Sequence, residues 1–506
     1  MSKTICIIGA GTYGSYLAHA VSEKYKDVQI HLFEVGNKQS KSETEAGFLS
    51  EVNQGEYKGT SHGRYFGLGG TSAKWGGQLL FFSQRDFSNP GAMKEVVECN
   101  LRYKNKVLRR FFENIPVLED KEFEEGLFIK QGIWLKFSQR NLYKHFQISK
   151  RANIKVHQNI RVVKINSEGH RIKSITVLLP HQQTAVEFHA DIFYLTSGAF
   201  ESLRLLHASN FIDLNKKPGG FSDHITLRCF ELSSKVTRLA AHDFRFRFVN
   251  GSMITARLVG ETDNVSFYIH PIFNENFKFF QFLKQVLFKG KFSLSQLFQV
   301  GKQALFIVPF VYHYLVNKKL YLYGSWYINI DIELSNSKNS IQLLDKLDQY
   351  NQNGLNLTYH LSNDTVDKIL AVKQKVKKML MEADVKFREI DNSTASSFKS
   401  EDVYHPYGLF SYLEGKTIYD VYNPVKNLFL FNTGLLQRSG GINPTASVFC
   451  LIEYHVERVL NTLISENDQA SASKPKKCNG EVCKELCLEC KAKAQIEIPR
   501  EVNVYN

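Results

Sequence analysis

Gly9-Ala10-Gly11-Thr12-Tyr13-Gly14 follows a short apolar run, residues 3–8, and precedes a helical pattern over residues 13–25. In such a turn the first glycine permits the tight bend, and Gly11 lets the backbone approach a pyrophosphate. Gly14 permits close packing of the helix on the strand, and the N-terminus of this helix, with Thr12 just before it, faces negative charge. The stretch therefore predicts a strand, a dinucleotide-binding turn and a helix.

Glu34 supports this interpretation. It ends a second predicted strand, residues 28–34, about twenty residues after the last glycine, where an acidic side chain binds ribose hydroxyls. An ordinary glycine turn does not account for an acid at that place. The motif predicts dinucleotide binding, and these residues leave the choice between NAD and FAD open.

The same strand–turn–helix order returns at residues 185–209 and again from about residue 427 to 464, whereas residues 225–400 contain alternating apolar and polar runs typical of antiparallel strands. We therefore predict an α/β protein with a Rossmann-like dinucleotide-binding domain, interrupted by a mostly antiparallel β-sheet domain that carries helices. The predicted parts are residues 1–224 and 401–465 for the nucleotide-binding domain, 225–400 for the inserted substrate domain and 466–506 for a C-terminal tail.

A second glycine-rich segment, residues 64–77, reads Arg-Tyr-Phe-Gly-Leu-Gly-Gly-Thr-Ser-Ala-Lys-Trp-Gly-Gly. Its density of glycines lets backbone amides press against a flat ligand. With the first motif, this segment resembles the glucose–methanol–choline (GMC) oxidoreductases, flavoproteins that oxidise alcohols. The resemblance implies FAD, and it implies contacts from this segment by Arg64, Gly69, Gly70, Thr71, Ser72, Trp75, Gly76 and Gly77.

Four later segments are similar to the same family in the same order: residues 159–165, 197–202, 221–224 and 432–445. The FAD contacts that they imply are Val162, Gly198, Asn432, Thr433, Gly434, Asn443, Pro444 and Thr445. Asn432 stands where the family usually has Asp. In some pyranose oxidases, a histidine near the position of Lys74 carries the flavin covalently. This chain has no histidine there, which implies non-covalent FAD. The Trp75-Gly76-Gly77 ending resembles the sugar-oxidising, pyranose oxidase-like branch.

His405 is the candidate catalytic base. Alcohol oxidation by hydride transfer requires a group that removes the hydroxyl proton, and histidine suits this because its ordinary pKa is about 6.5. Residues 404–408, Tyr-His-Pro-Tyr-Gly, resemble the family's catalytic histidine motif. The resemblance implies Asn443 as the partner that orients the substrate hydroxyl.

The resulting expectation is an FAD-dependent enzyme that oxidises a hydroxyl group of a small molecule, a sugar or sugar conjugate, and passes the electrons to an unidentified acceptor. Two alternatives stay open. One is an enzyme for a hydrophobic or sterol-like alcohol, and the other is a flavin-binding assembly partner whose C-terminal cysteine tail binds a metal or another protein.

The charge of the chain is uneven. Its 506 residues carry 64 Lys and Arg against 50 Asp and Glu, a formal net charge of +14, yet residues 276–330 contain seven lysines and no acid. Phenylalanines alternate with these lysines, which is typical of a membrane-surface element or a hydrophobic lid. A helix pair packed on the substrate domain is an equal alternative. Nucleic acid is not expected, because no recognition motif accompanies the charge.

Half of the eight cysteines lie in the tail, at Cys478, Cys483, Cys487 and Cys490. Four thiolates can bind zinc or an iron–sulfur cluster, but this spacing matches no common zinc signature, so a metal-free tail is an equal alternative. The N-terminus lacks a signal-peptide pattern, and no run of about 18 apolar residues occurs. We therefore expect a cytoplasmic protein, with association through residues 276–330 left open.

Overall fold

A computed structural model of the chain describes residues 2–54, 57–179, 185–232, 246–249, 251–273, 304–317, 326–334, 339–392, 404–410 and 417–464. The four tail cysteines lie outside these residues. So does most of the basic insert, of which residues 304–317 and 326–330 are described.

The described strands are β1 Thr4–Ile8, β2 Gln29–Glu34, β3 Ser50–Gln54, β4 Gln78–Leu79, β5 Lys121–Glu124, β6 Leu127–Trp134, β7 Ile154–Gln158, β8 Arg161–Glu168, β9 Arg171–Leu178, β10 Ala185–His189, β11 Ile192–Leu195, β12 Gly219–Gly220, β13 His224–Leu232, β14 Phe246–Val249, β15 Ser252–Thr262, β16 Val265–Phe273, β17 Trp326–Glu333, β18 Ser340–Leu347, β19 Asn353–Thr358, β20 Phe387–Glu389 and β21 Leu428–Leu430. The described α-helices are α1 Thr12–Lys24, α2 Lys94–Arg109, α3 Phe137–Arg140, α4 Leu142–His145, α5 Ala199–Ala208, α6 Ala304–Leu315, α7 Asn363–Glu382, α8 Ile418–Tyr422 and α9 Thr445–Tyr454.

A parallel sheet forms the part that is predicted to bind the nucleotide, with the strand order β21-β11-β1-β2-β7. Its inner strands are apolar and buried, as expected for a sheet with helices on both faces. The first glycine turn follows β1, where the Gly9 amide donates to the Phe33 carbonyl and the Thr196 amide donates to the Ile8 carbonyl. The turn is thus held at the carboxyl ends of β2 and β11, the edge at which such sheets bind ligands.

A large antiparallel sheet runs in the order β20-β13-β17-β16-β15-β6-β4, with β14 paired to β15 and β5 paired to β6. The antiparallel strands expected after residue 225 are therefore confirmed. Strands β4, β5 and β6 come from residues 78–134, so the sheet also uses chain that precedes residue 225. The alternation of apolar and polar residues along β6 does not reveal its partner strand, because strand pairing depends on tertiary contacts. The domain boundaries stay predictions.

Two smaller sheets complete the described architecture. One is antiparallel, with the order β10-β9-β8, and the other has the order β12-β18-β19-β3. The predicted α/β fold, a parallel nucleotide-binding sheet with an inserted antiparallel sheet that carries helices, is confirmed. Helix α7 is amphipathic, with Ile369, Val372 and Val376 among its buried residues, and Ser362 caps it by accepting a hydrogen bond from the Thr365 amide.

Among the helices of the described ranges, none is both long enough and apolar enough to cross a bilayer.

Candidate cofactor and substrate site

A cavity of about 1920 Å³ extends from the glycine turn of the parallel sheet to the inner face of the antiparallel sheet. A typical pocket for one drug-sized ligand measures roughly 300–1,000 Å³. The cavity therefore has room for a dinucleotide and a second molecule beside it.

The glycine turn has the shape that a pyrophosphate needs. A Cβ placed on Gly11 would find Gly70 Cα as its nearest heavy atom, at 3.9 Å, so the backbone there faces open space in the cavity. A Cβ on Gly14 would lie 1.8 Å from the Gly9 carbonyl oxygen. Gly11 thus leaves room for a ligand, whereas Gly14 permits the packing of α1 on β1.

Glu34 is buried at the end of β2 and lines the cavity. Its Oε2 accepts a hydrogen bond from the Ala10 amide and its Oε1 accepts one from the Gly36 amide, each at 2.9 Å. Burial raises the pKa of Glu34 to about 7, although these amides oppose the shift. Its remaining lone pairs suit ribose hydroxyls, so these residues fit a dinucleotide.

Most of the predicted cofactor residues lie on the cavity wall. They are Gly9, Gly11, Thr12, Glu34, Arg64, Gly70, Thr71, Trp75, Gly76, Gly77, Val162, Gly198, Asn432, Thr433, Asn443 and Thr445. Arg64 is already engaged, because its guanidinium lies 3.1 Å from Glu43 and 2.5 Å from Glu201. Arg64 therefore holds two segments of the wall together and offers little free charge to a phosphate.

Five predicted residues lie behind the wall rather than on it: Gly14, Gly69, Ser72, Gly434 and Pro444. Ser72 is an example. Its hydroxyl donates to the Gly69 carbonyl and accepts from the Leu142 amide, which ties the glycine segment to α4. These residues shape the wall, and their own contact with a cofactor stays a prediction.

His405 lines the cavity at its junction with the antiparallel sheet. Burial lowers its pKa to about 3, and neighbouring His224 adds to the shift. The two rings meet edge to face with their centroids 5.9 Å apart. Since His405 Nδ1 is buried without a hydrogen-bond partner among the described residues, the imidazole is held neutral.

Asn443 lines the same cavity, just before α9, and its Oδ1 accepts a hydrogen bond from the Thr445 amide at 2.9 Å. Both candidate catalytic residues are thus brought to one cavity from segments about forty residues apart. Their joint action on one hydroxyl remains a prediction.

Asp223 joins three segments around His405. Its Oδ1 accepts hydrogen bonds from the backbone amides of His405 and His224, and its Oδ2 accepts one from the Tyr57 hydroxyl, all at 2.8 Å. Burial raises the pKa of Asp223 to about 7, while the three donors oppose the shift. The sequence places Asp223 directly before His224, but only the structure shows that Asp223 holds the backbone of His405.

We expect Asp223→Ala to destabilise the protein by about 2–4 kcal/mol, because two buried donors and one part-buried donor lose their acceptor. Thermal and urea unfolding measure the effect. Tyr57→Phe is the matched control, since it removes one of the three bonds and should cost about 1 kcal/mol. Equal stability of Asp223→Ala and the unchanged protein would contradict this role.

Asp223, His224 and His405 also place three potential metal ligands within 4.8 Å of one another. Both Asp223 oxygens already accept hydrogen bonds, and His224 Nε2 lies 2.7 Å from the Gly440 carbonyl oxygen. These atoms are committed to the fold, so we assign no metal to them.

A polar patch on the antiparallel sheet faces the cavity, and sequence analysis did not find it. Thr226, Asp331 and Tyr268 are aligned across β13, β17 and β16, and His270 Nε2 lies 3.2 Å from Asp331 Oδ2. Burial acts to raise the pKa of Asp331, but His270 and Thr226 outweigh it and lower the pKa. The alternation of apolar and polar residues along β17 was the signal that the sequence offered for this patch. That alternation does not identify which strands lie beside β17.

Comparison with known proteins gives matches among solved structures. Pyridoxine 4-oxidase from Mesorbium loti shares 14% sequence identity, over 91% of this chain and 99% of its own, with a TM-score of 0.54. Formate oxidase from Aspergillus oryzae RIB40 shares 11% identity, over 92% of this chain and 99% of its own, also at 0.54. This chain has the GMC oxidoreductase fold. No protein-family model and no curated protein sequence matches it.

The resemblance drawn from the motifs is thereby confirmed at the level of the fold. The match covers nearly the whole length of both solved structures, so the GMC fold includes the parallel and the antiparallel sheet together. In this GMC-fold chain the glycine turn after β1 and His405 open into one cavity.

Proposed function

We propose that this chain is an oxidoreductase that binds FAD non-covalently and oxidises a hydroxyl group of its substrate to a carbonyl. The observation that carries the proposal is the single cavity that connects the Gly11 turn and Glu34 with the half-buried, neutral His405. The solved structures of the same fold support it, since they are oxidases and the formate oxidase structure concerns the modification of its FAD.

In this function, bound FAD supplies the hydride acceptor. The glycine turn and Glu34 hold its dinucleotide part, and the wall of residues 70–77 contacts its flavin end. His405 removes the hydroxyl proton, and we assign this step to Nε2 because Nδ1 is buried. Asn443 orients the hydroxyl, and Asp223 keeps His405 in place.

We further propose a sugar or sugar conjugate as the substrate. The inner face of the antiparallel sheet supports this, because hydroxyl, carboxylate and imidazole groups of Thr226, Asp331, Tyr268 and His270 line the cavity. A sterol-like alcohol would displace water from these polar groups and offer them few hydrogen bonds in return, which costs free energy.

An anaerobic screen of flavin reduction tests the proposal. The holoprotein is mixed with sugars, polyols, sugar acids and sterols, and loss of flavin absorbance is followed before oxygen or a quinone is added as acceptor. We expect bleaching by polyhydroxylated compounds. A protein that cannot take up FAD would refute the proposal, and FAD that no alcohol reduces would favour the assembly partner.

We expect the rate of flavin reduction to show no loss from protonation of His405 between pH 8 and pH 5. Burial lowers the pKa of His405 to about 3, so the imidazole is neutral throughout this window and gains a proton only below it. Rapid-mixing measurements across this range check the result. Loss of rate with an apparent pKa near 6.5, absent from a His405→Gln protein, would contradict it.

We also propose that α6 contacts an anionic membrane surface, in a cytoplasmic protein. Val308, Val311, Tyr312, Leu315 and Val316 follow helical spacing on one face, and each is at least 40% exposed. Val311 also lines the cavity, and Lys302, Lys318 and Lys319 flank the helix in the sequence. An apolar stripe between lysines suits the surface of an anionic bilayer.

We expect the protein to sediment with phosphatidylglycerol vesicles and much less with phosphatidylcholine vesicles. Val308→Glu/Leu315→Glu should reduce binding at least about tenfold, because two charges would enter the apolar interface. Leu101→Glu, at another exposed leucine, is the control. Equal binding of the two variants would exclude α6 as the contact and leave its apolar face as a lid over the cavity.

A further inference from the structure

Asn329 of β17 lines the cavity and is 5% exposed. Its Oδ1 is buried without a hydrogen-bond partner, and no hydrogen bond reaches either end of its side-chain amide within the described part of the chain. Leaving a buried polar group unsatisfied costs roughly 1–3 kcal/mol, so most such groups in folded proteins have a partner. On the wall of a ligand cavity, this amide is therefore a group that a ligand can satisfy.

The two side chains that flank Asn329 make their contacts elsewhere. Strand register pairs Asn329 with Arg228 on β13 and with His270 on β16. The Arg228 guanidinium lies over the Tyr327 ring, 4.7 Å from its centroid, and His270 Nε2 lies 3.2 Å from Asp331 Oδ2. Because neither end of the Asn329 amide is bonded to these neighbours, rotation about its last side-chain bond can turn the oxygen or the NH₂ group to the cavity.

The register also sets the distance between Asn329 and the proposed base. His224, whose ring centroid lies 5.9 Å from that of His405, pairs with Glu333 on β17. Asp331 lies two residues from Glu333 along the same strand, and Asn329 lies four residues from it; both line the cavity. At about 3.4 Å per residue, these positions are roughly 7 and 14 Å along β17. A ring sugar with a hydrogen bond at each end spans the longer distance when the reach of the side chains is included, whereas a short alcohol does not.

On the basis of the proposed function, we propose that Asn329 is a specificity-determining residue. Its amide binds a substrate hydroxyl that is not adjacent to the oxidised carbon, while His405 receives the proton of the oxidised hydroxyl. Asp331 lies between the two along β17 and faces an intervening hydroxyl. The substrate class is therefore a pyranose sugar with several hydroxyl groups, because an analogue without the distant hydroxyl would leave the Asn329 amide unpaired.

Matched sugars test the inference on the full-length holoprotein. Anaerobic flavin reduction is measured with glucose, galactose, mannose and xylose, and then with each monodeoxy derivative of the sugar that reduces the flavin most efficiently. Product analysis identifies the oxidised carbon. We expect removal of one non-adjacent hydroxyl to weaken binding to the unchanged protein about tenfold, and to weaken binding to Asn329→Ala by less than about twofold, because the partner of that hydroxyl is already missing.

Asn329→Ala should raise the apparent Kd of the parent sugar about tenfold and change the limiting rate of flavin reduction by less than about threefold. Its Tm should be unchanged or higher, because the fold loses no hydrogen bond and one unsatisfied buried group is removed. A merely structural role would lower the Tm and leave the Kd unchanged.

The matched control is Asn356→Ala. Asn356 lies on β19, and its Oδ1 is also buried without a hydrogen-bond partner among the described residues, but it does not line the cavity. We expect this variant to bind the parent sugar like the unchanged protein.

A binding measurement separates this inference from the proposed function. In a His405→Ala protein, which reduces its flavin slowly, the four sugars are titrated and binding is read from the perturbation of the flavin spectrum. We expect His405→Ala/Asn329→Ala to bind the parent sugar about tenfold more weakly than His405→Ala.

Equal losses for every deoxy sugar in Asn329→Ala and the unchanged protein, or equal sugar binding by the two His405→Ala proteins, would overturn the inference and leave Asn329 as a site for bound water only. Failure of all four sugars to bind would also overturn it. Absence of flavin reduction by every hydroxyl compound, with sugar binding that still depends on Asn329, would overturn the proposed function alone.

Discussion

Replacing His405 by alanine should slow flavin reduction by the substrate about a thousandfold while the protein retains its FAD. A positioned general base contributes roughly 10²–10⁴ to such a step. Burial keeps the imidazole neutral, with a pKa of about 3, and Asp223 holds its backbone through a 2.8 Å hydrogen bond. Stopped-flow absorbance under anaerobic conditions measures the rate, and the flavin-to-protein absorbance ratio measures the FAD content.

The matched control is His270→Ala, because His270 is a second histidine on the cavity and lies 3.2 Å from Asp331. We expect this variant to weaken substrate binding and to keep most of the limiting rate. If His270→Ala lost the rate and His405→Ala kept it, the two assignments would have to be exchanged. A His405→Gln protein with full activity would remove His405 from the role.

Gly11→Val should weaken FAD binding at least about a hundredfold and leave the fold intact. A Cβ at Gly11 would enter the open space beside the turn, 3.9 Å from Gly70 Cα, so the valine methyls would occupy the volume that the pyrophosphate needs. The loss corresponds to about 2.7 kcal/mol, within the usual cost of overpacking. Equilibrium titration of the apoprotein with FAD measures the affinity, and circular dichroism and thermal unfolding measure the fold.

Gly220→Val is the matched control, since a Cβ there would lie 4.0 Å from the Asn339 carbonyl oxygen and outside the cavity. We expect it to bind FAD like the unchanged protein. Gly14→Val should instead fail to fold, because its Cβ would lie 1.8 Å from the Gly9 carbonyl oxygen. Normal FAD binding by Gly11→Val would exclude this turn as the pyrophosphate site.

The first βαβ unit was predictable because its signals are local. Residues 3–8, 13–25 and 28–34 were expected to form strand, helix and strand, and the structure has them at Thr4–Ile8, Thr12–Lys24 and Gln29–Glu34. The backbone conformation that a glycine permits, and the spacing of apolar residues that favours a helix or a strand, depend on the residue itself and its near neighbours. The order of the motifs and the fold class were predicted from the same local signals, glycine turns and apolar spacing, which recur along the chain.

The substrate side was less predictable because its contacts are distant in sequence. Asp223 meets Tyr57 and His405, and His270 meets Asp331, through strand pairings and loop contacts that no local pattern encodes. Likewise, β6 joins the antiparallel sheet through β15 although it precedes residue 225. The register of paired strands determines such contacts, and a shift of one residue would turn each side chain to the other face.

The sequence by itself determined the dinucleotide turn, the acid at Glu34 and the alternation between parallel and antiparallel parts, because backbone freedom and hydrophobic period are local properties. Only the tertiary structure decided which polar side chains share a cavity. It placed His405 and Asn443 on the wall of one cavity, and it placed Gly14, Gly69, Ser72, Gly434 and Pro444 behind that wall. The physical reason is that strand register and sheet order, which depend on packing over the whole chain, determine which face each side chain occupies.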